Sequence, residues 1–287
     1  EIPLTKQRAT EGITVYYEDD EKHIAKEADL VVYTPAVPKE HKGLLYYRKN
    51  NYTLLKRSDV LGEITKSSFN ICIAGTHGKT TITTMTAHLL RHSGYGCNAF
   101  LGGIAANYNS NFWSSEKNVC VAEADEYDRS FLKLHPDIAV ISAMDADHLD
   151  IYGTEDAMQQ AFIDFAGQIK KGGTLFSKWG LKKTTELKAD HHFTYSLQNS
   201  NADAYAANIT NREGSYVFDV HTTGGWLKDV ALNMGGLHNI ENVVAAIAIA
   251  KQLHNEDEKI KAAVAALKGV KRGFEYIIHP FNNSGTV

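Results

Sequence analysis

Short, almost continuously apolar runs alternate with segments of helical periodicity through the centre of the chain. The clearest runs occupy residues 71–74, 119–122 and 138–141. Residues 80–92 follow the first run, and their apolar side chains recur at helical spacing: Ile82, Met85, Leu89 and Leu90. Strands that are apolar throughout, rather than at every second position, are typical of a parallel sheet buried on both faces. The pattern therefore predicts a mostly parallel α/β sheet with helices between its strands.

The same alternation continues downstream before the pattern changes. Thr154 is predicted to cap a helix whose apolar positions repeat at helical spacing: Met158, Ala161, Phe162, Phe165 and Ile169. From about His192 onward, alternating runs are joined by turn residues, which predicts a small antiparallel extension of the same domain. The predicted strands there cover residues 204–209, 215–221 and 226–232, and two helices follow at about 235–253 and 257–267. Upstream, a strand at residues 97–101 is predicted to end at Gly102 and Gly103.

The N-terminal part of the chain has a weaker version of this pattern. Short β-rich runs and charged, helix-like stretches alternate there: strands at residues 13–17, 30–33 and 52–55, helices at 21–28 and 60–65. No Gly-rich turn joins a strand to a helix in this part, so we predict a partial Rossmann-like α/β domain. We divide the chain into this partial domain (residues 1–66), a central domain (67–269) and a linker (270–287).

A Gly-rich loop joins the first central strand to its helix. Glycines allow backbone N–H groups to converge on phosphate oxygens, and the helix N-terminus adds positive potential. The loop therefore predicts a nucleotide triphosphate site, in a central domain of the P-loop type. Lys79 would reach the terminal phosphates, and the Thr80 hydroxyl would bind magnesium. The common pattern has a glycine where this chain has Ile73, so an ordinary Gly-rich turn is the alternative. The predicted nucleotide-binding residues are Gly75, Thr76, His77, Gly78, Lys79, Thr80 and Thr81.

Acidic clusters follow the next two predicted strands, at residues 123–128 and 145–150. Ligands of parallel sheets gather beyond the carboxyl ends of the strands, and magnesium needs hard oxygen ligands. We favour Glu123 as a metal ligand because it is nearest to its strand end. A solvated acidic loop is an equally good interpretation of Asp125, Glu126 and Asp128. In the second cluster, His148 would bind a second magnesium ion, an unusual role for a nitrogen ligand, or donate to phosphate.

Polar side chains also open the helix predicted near residue 235. His238, Asn239 and Asn242 lie there, and amide side chains suit hydrogen bonding to an adenine edge. On the residues alone, N-capping by Asn239 is the preferred alternative. Other histidines show no partner pattern: His41, His88, His191 and His192.

Composition excludes some classes of function and favours a compartment. A net charge of -4 argues against a mainly electrostatic nucleic-acid binder. The longest apolar run, residues 243–250, is far shorter than the roughly 20 residues that span a bilayer, so no membrane anchor is predicted. Cys72, Cys97 and Cys120 lie in apolar runs without metal-ligand spacing, which predicts buried free thiols and a cytoplasmic location. The chain starts at Glu1 without a secretory pattern, and we expect a missing upstream segment. The oligomeric state is not set by the sequence.

Together these motifs resemble the Mur ligases. Four segments carry the resemblance in the order of the family: residues 74–81, 123–131, 145–150 and 236–242. It extends to residues 33–38 and 56–58, similar to the family's UDP-sugar domain, and to the Arg-Phe-acid residues Arg272, Phe274 and Glu275. The chain is most similar to the branch that joins L-alanine to the lactyl carboxylate of UDP-N-acetylmuramate. In that reaction ATP converts the carboxylate to an acyl phosphate, which the amine then attacks.

The resemblance implies roles for individual residues. Lys79, Glu123 and His148 would be catalytic, with Lys79 on the β- and γ-phosphates. Thr80 and Glu123 would hold one Mg²⁺ and His148 a second. His238, Asn239 and Asn242 would lie against adenine, and His77 would face the lactyl carboxylate.

The resemblance also leaves departures and alternatives. The family's UDP-binding glycine loop and C-terminal domain are absent, and Gly273 replaces an expected arginine. We therefore expect this chain to bind ATP without ligating. One alternative is the sister ligase that attaches recycled tripeptide to UDP-N-acetylmuramate, although the compact segment at residues 129–134 favours the alanine branch. Another is a non-catalytic ATP-binding module.

Overall fold

The computed structural model describes residues 3–34, 36–147, 149–212 and 215–271. These residues form eight α-helices: α1 (Pro3–Thr10), α2 (Lys42–Lys49), α3 (Arg57–Ser67), α4 (Lys79–His92), α5 (Leu149–Tyr152), α6 (Glu155–Ala166), α7 (Leu237–Gln252) and α8 (Asp257–Ala265). They also form thirteen strands: β1 (Val31–Tyr33), β2 (Leu54–Lys56), β3 (Phe69–Ala74), β4 (Asn98–Ala105), β5 (Ser110–Trp113), β6 (Val119–Glu123), β7 (Ile138–Ile141), β8 (Thr174–Lys178), β9 (His191–Ser196), β10 (Ala204–Arg212), β11 (Ser215–Thr222), β12 (Gly225–Leu232) and β13 (Val270–Lys271).

One large sheet organises the chain from β3 onward. Its strand order is β12-β11-β10-β9-β8-β7-β3-β6-β4-β13, and β5 also pairs with β4. Within the described part of this sheet, the seven strands from β10 to β4 are mutually parallel, and the other pairings are antiparallel. The predicted α/β class with a mostly parallel sheet and a small antiparallel extension is confirmed. Because β3 lies between β6 and β7, the carboxyl ends of these three strands meet at one edge.

The sequence of β3 suits a central strand, because its apolar side chains are buried on both faces of the sheet. Ile71 and Ile73 are fully buried against one face of the sheet, in the core shared with α4, α7 and α8. Cys72 and Ala74 point to the other face and are fully buried in the core shared with α3 and α6. Each buried isoleucine contributes roughly 1.5–3 kcal/mol of transfer free energy. Helices therefore cover both faces, as uninterrupted apolar strands require.

Helix α6 confirms the predicted cap and the periodicity as far as Phe165, whereas Ile169, predicted in the same helix, lies beyond its end at Ala166. The Thr154 hydroxyl accepts a hydrogen bond from the Ala157 N–H at 3.1 Å, which satisfies one of the free donors of the first turn. Phe162 and Phe165 are fully buried and pack on Phe131, with ring centroids 5.4 and 5.1 Å away. These three rings anchor the segment that follows β6 against the sheet.

The N-terminal part was predicted less well. Strands β1 and β2 form as a parallel pair, but the predicted strand at residues 13–17 is absent, since those residues form no strand. The predicted helix at 21–28 is a single 3₁₀ turn, Glu21–His23, and α1 and α2 were not predicted. Ile13, Tyr16 and Tyr17 are each more than half exposed, so their β-propensity had no burial to support it.

Other boundaries differ near the site. Strand β4 continues through Gly102 and Gly103, which were expected to end it, and β5 was missed. Residues 270 and 271, the start of the predicted linker, form β13 against β4. The rest of that linker, with Arg272, Phe274 and Glu275, lies outside the described residues. The division into domains stays a prediction, and helix α3 packs Leu61 into the core of the large sheet.

The three thiols are free and buried, as predicted. Burial raises the pKa of the Cys97 and Cys120 thiols to about 12, and raises that of Cys72 as well. Among the described residues, no helix combines the length and apolar character needed to cross a bilayer.

Candidate functional site

The Gly-rich loop has the backbone geometry of a phosphate-binding loop. Gly75 has φ 136°, and a Cβ there would lie 2.2 Å from Ser142 Oγ and 2.8 Å from the Ala143 nitrogen. Gly78 has φ 83° and is the N-cap of α4, whose first backbone bond runs from the Ile82 N–H to the Gly78 carbonyl. The positive φ angles therefore favour glycine at both positions. At Gly75 the close approach of Ser142 and Ala143, just after β7, also leaves no room for a side chain.

The residues after β7 hold this loop in place. The Ser142 hydroxyl donates to the His77 carbonyl and contacts the Ala74 carbonyl at 3.2 Å. The Thr76 N–H donates to the Ala143 carbonyl at 3.2 Å, and the Thr76 hydroxyl accepts from the Asp145 N–H at 3.3 Å. The loop is thus preorganised by its own protein contacts. Ser142 was not identified from the sequence, although its position directly after β7 is the available signal.

The structure brings Thr80, at the start of α4, together with Glu123, at the carboxyl end of β6. The Thr80 hydroxyl donates to Glu123 Oε1 at 3.1 Å, and the Gly102 N–H donates to Glu123 Oε2 at 3.1 Å. Burial raises the pKa of the Glu123 carboxyl, while the Thr80 hydrogen bond and the Lys79 charge act in the opposite direction. A partly buried carboxylate beside a hydroxyl provides hard oxygen ligands and favours a positive counter-charge nearby.

These two side chains fit a magnesium ion in part of its coordination shell. No group of three or more His, Cys, Asp or Glu suited to a metal occurs among the described residues. Magnesium usually keeps several waters and takes one or two protein ligands together with substrate phosphates. The pair Thr80 and Glu123 matches that requirement. His148, the predicted ligand of a second ion, lies outside the described residues.

Lys79 has a partner that the sequence did not single out. Its Nζ lies 2.7 Å from Glu126 Oε1, and the Glu126 side chain is fully buried. The interpretation of the acidic run as a solvated loop is therefore wrong for Glu126. The Tyr152 hydroxyl donates to the Glu126 carbonyl at 2.5 Å, and burial raises the pKa of Tyr152 to about 12. The charge pattern alone carried no signal that distinguished this buried glutamate from its neighbours.

Two adjoining cavities surround the loop. One, of about 450 Å³, lies beside Lys79, Thr80, Glu123 and the two glycines of β4. The other, of about 650 Å³, extends from the loop to the start of α7 and includes His77, His238, Asn239 and Asn242. Both cavities are lined by Thr76, Gly78, Thr81 and Val270. The shared lining residues make the two cavities neighbours at the phosphate loop.

The N-cap of α7 is not the residue that the sequence favoured. Gly236, with φ 89°, is the N-cap, so N-capping by Asn239 is wrong. The Asn239 amide instead donates to the Gly235 carbonyl at 2.7 Å. Asn242 Oδ1 lies 3.1 Å from the position of a Cβ on Gly78, which places it beside the phosphate loop.

The larger cavity has further lining residues that the sequence did not indicate: Lys178, Tyr195, Met234 and Glu241. Lys178 Nζ pairs with Glu241 Oε2 at 2.9 Å, and Glu241 Oε1 accepts from the Leu197 N–H at 3.2 Å. Lys178 of β8 and Tyr195 of β9 thus line the cavity together with the phosphate loop.

The chain is similar to curated proteins over almost its whole length. The chain is 44% identical over 283 residues to the UDP-N-acetylmuramate--L-alanine ligase of Porphyromonas gingivalis, covering 96% of this chain and 62% of that protein. It is 43% identical over 279 residues to the protein of the same name from Flavobacterium johnsoniae, covering 96% and 60%. The chain therefore spans about three fifths of the length of these curated relatives.

Solved structures share the fold. A UDP-N-acetylmuramate-alanine ligase from Thermotoga maritima superposes with a TM-score of 0.80 at 24% identity, covering 96% of this chain and 63% of that one. A UDP-N-acetylmuramate:L-alanyl-gamma-D-glutamyl-meso-diaminopimelate ligase from Neisseria meningitides gives 0.80 at 24% identity, covering 94% and 88%. Residues 73–250, which include the phosphate loop, both strand ends and most of α7, match the family described as the Mur ligase middle domain. The chain belongs to the Mur ligase family.

Proposed function

We propose that this chain is the ATP-binding part of a ligase that joins L-alanine to the lactyl carboxylate of UDP-N-acetylmuramate. The observation that supports it most is the convergence of Lys79, Thr80 and Glu123 beside one cavity, which shares lining residues of the phosphate loop with a second cavity at the start of α7. Family membership and the names of the relatives support the same activity. The free, buried thiols support a reducing compartment, which we take to be the cytoplasm.

In this proposal the residues of the chain position and neutralise ATP. Backbone N–H groups of residues 75–81 and the α4 N-terminus bind the phosphates, and Lys79 contacts the β- and γ-phosphates. Thr80 and Glu123 hold Mg²⁺, which supplies positive charge to the phosphates when bound. His238, Asn239 and Asn242 contact adenine.

The reaction needs little covalent chemistry from the protein. A carboxylate oxygen of the acceptor attacks the γ-phosphorus and ADP leaves. The amine of L-alanine then attacks the acyl carbon, and phosphate leaves as the amide forms. His77 is exposed at the cavity mouth, which suits a contact with the lactyl carboxylate. His148 stays a predicted ligand of a second Mg²⁺.

The choice between L-alanine and a tripeptide rests on the relatives. Eight curated relatives at 41–44% identity carry the L-alanine ligase name. The Neisseria structure supports only the shared fold, because its identity is 24%. We therefore propose the alanine branch, with the tripeptide ligase as the second candidate.

Calorimetry of ATP with and without Mg²⁺ tests the site. We expect Lys79→Ala to weaken Mg–ATP binding strongly, and Glu123→Ala and His148→Ala to reduce its metal dependence. Lys170→Ala is the matched control, because Lys170 pairs with Asp137 before β7, at the opposite end of the sheet. Unchanged affinity and metal dependence in all three site variants would refute the proposal.

The reaction itself is tested by phosphate release. Under the proposal, phosphate release from ATP should require both UDP-N-acetylmuramate and L-alanine. Dependence on tripeptide instead would favour the second candidate.

A further inference from the structure

We propose that Glu126 is a positioning residue that makes nucleotide binding depend on the divalent cation. It neutralises Lys79 in the nucleotide-free site, so that a triphosphate binds well only together with the cation. The inference rests on the proposed ATP site. It concerns a glutamate other than the one assigned to the metal.

The pair is built into the fold. Glu126 has no exposed side-chain surface, and the Lys79 side chain is 13% exposed. The Glu126 carbonyl accepts from the Tyr152 hydroxyl at 2.5 Å and from the Arg129 N–H at 3.0 Å. The following 3₁₀ helix, Tyr127–Lys133, includes Phe131, which is fully buried. Because both the carboxylate and its backbone are fixed, the contact with Lys79 is not a mobile surface pair.

The charge of this pair decides what the empty loop offers to an anion. At 2.7 Å, Lys79 and Glu126 form a unit without net charge, so Lys79 contributes little attraction at longer range. Glu123, beside Thr80, adds a negative charge when ionised. A metal-free triphosphate therefore meets a site with no surplus positive charge from these three side chains.

The same pair does not block binding of the complete ligand. An ammonium group has three N–H donors, so Lys79 keeps donors for phosphate oxygens while one remains on Glu126. Glu126 thereby directs the remaining donors and keeps the ammonium in place. A cation held by Thr80 and Glu123 supplies the positive charge that the ion pair withholds. The site therefore binds the metal-bound nucleotide more tightly than the metal-free nucleotide, because the cation supplies the positive charge that the neutral ion pair does not.

Calorimetric titration of ATP, in Mg²⁺ and in excess chelator, tests the inference with Glu126→Gln. The amide keeps the size and a hydrogen-bond acceptor for Lys79 but removes the charge. We expect metal-free ATP to bind about tenfold more tightly than to the wild type, whereas Mg–ATP affinity changes less than about threefold. A merely structural role would weaken both affinities together. An unchanged or larger ratio of the two dissociation constants would overturn the proposal.

Two further variants separate charge from shape. Glu126→Asp keeps the charge with a shorter side chain, and its metal dependence should remain close to that of the wild type. Asp137→Asn removes the charge from the pair with Lys170 at the opposite end of the sheet, and should alter neither affinity. A loss of metal dependence in Glu126→Asp would contradict the role assigned to charge.

A double variant tests the inference even if Glu126→Gln does not fold. Lys79→Gln/Glu126→Gln removes both charges of the pair, and it should bind metal-free ATP about tenfold more tightly than Lys79→Gln does. Equal affinities of these two variants would overturn the inference. If the wild type fails to bind Mg–ATP, the proposed function itself is refuted. If it binds and Glu126→Gln keeps the wild-type ratio, only the present inference fails.

Discussion

Replacing Gly102 by alanine should damage the metal site without changing any proposed ligand. Gly102 lies in β4 beside the end of β6, and its N–H donates to Glu123 Oε2 at 3.1 Å. An added Cβ would lie 2.2 Å from that oxygen and 2.6 Å from the carboxyl carbon. Because the clash is with the end of a side chain, the Glu123 carboxylate is expected to move rather than the strand.

The size of the effect follows from the contacts that must break. Real Cβ contacts are essentially never shorter than 3.0 Å, so Glu123 Oε2 must move by at least about 0.8 Å. This movement weakens a hydrogen bond to a charged group, worth about 1.5–3 kcal/mol. It also shifts Glu123 Oε1 from the Thr80 hydroxyl. Disturbing a group that orients a metal ligand typically costs about 10- to 100-fold in metal affinity.

Calorimetry should therefore show Mg–ATP affinity about 10- to 100-fold lower in Gly102→Ala, with metal-free ATP binding changed much less. Gly224→Ala is the control, because its added Cβ would meet the flexible Lys251 side chain at 3.3 Å and Thr222 Oγ1 at an ordinary 3.7 Å. That turn between β11 and β12 is not part of the site, and both affinities should be those of the wild type. Wild-type Mg–ATP affinity in Gly102→Ala would refute the reasoning about Glu123.

Two further predictions concern the core. The pKa of buried His88 is lowered from 6.5 to about 4, chiefly by burial; the neutral ring accepts from the Tyr108 hydroxyl and donates to the Ala263 carbonyl. The unfolded chain therefore binds a proton at His88 more tightly than the folded chain does. As the pH falls from about 7 to about 5, this difference lowers the free energy of unfolding by about 2 kcal/mol. Urea unfolding should show a smaller pH-dependent loss in His88→Gln, and an unchanged loss would contradict this role. Phe162→Ala removes a fully buried ring packed on Phe131 and should lower the unfolding free energy by about 3–5 kcal/mol; a loss below about 1 kcal/mol would contradict its place in the core.

The sequence predicted the elements whose pattern depends on burial by the sheet itself. β3, α4, β6 and β7 were predicted to within one residue at each end, except the start of β3, because apolar runs and helical spacing agree there with the tertiary fold. The meeting of Thr80 with Glu123 followed from the rule that parallel strands share a carboxyl edge.

Features that depend on the packing of distant segments were not predictable in this way. Glu126 follows Glu123 by three residues in one acidic run, and only the fold shows that it is buried on Lys79. Gly102 resembled a turn residue, although a glycine inside a strand often marks a close approach, here by the Glu123 carboxylate. At the N-terminus, exposed Tyr16 and Tyr17 have strand propensity but no sheet partner.

The most direct test of the central claim is a crystal structure of this chain with Mn²⁺ and a non-hydrolysable ATP analogue, with the metal located by anomalous scattering. We expect a metal peak about 2 Å from both Thr80 Oγ1 and Glu123 Oε1, or bridged to one of them by water. The triphosphate should lie on the amides of residues 75–81, with the base beside Asn239 and Asn242. A metal peak away from the ends of β3 and β6, or a base outside the cavity at the start of α7, would contradict the account.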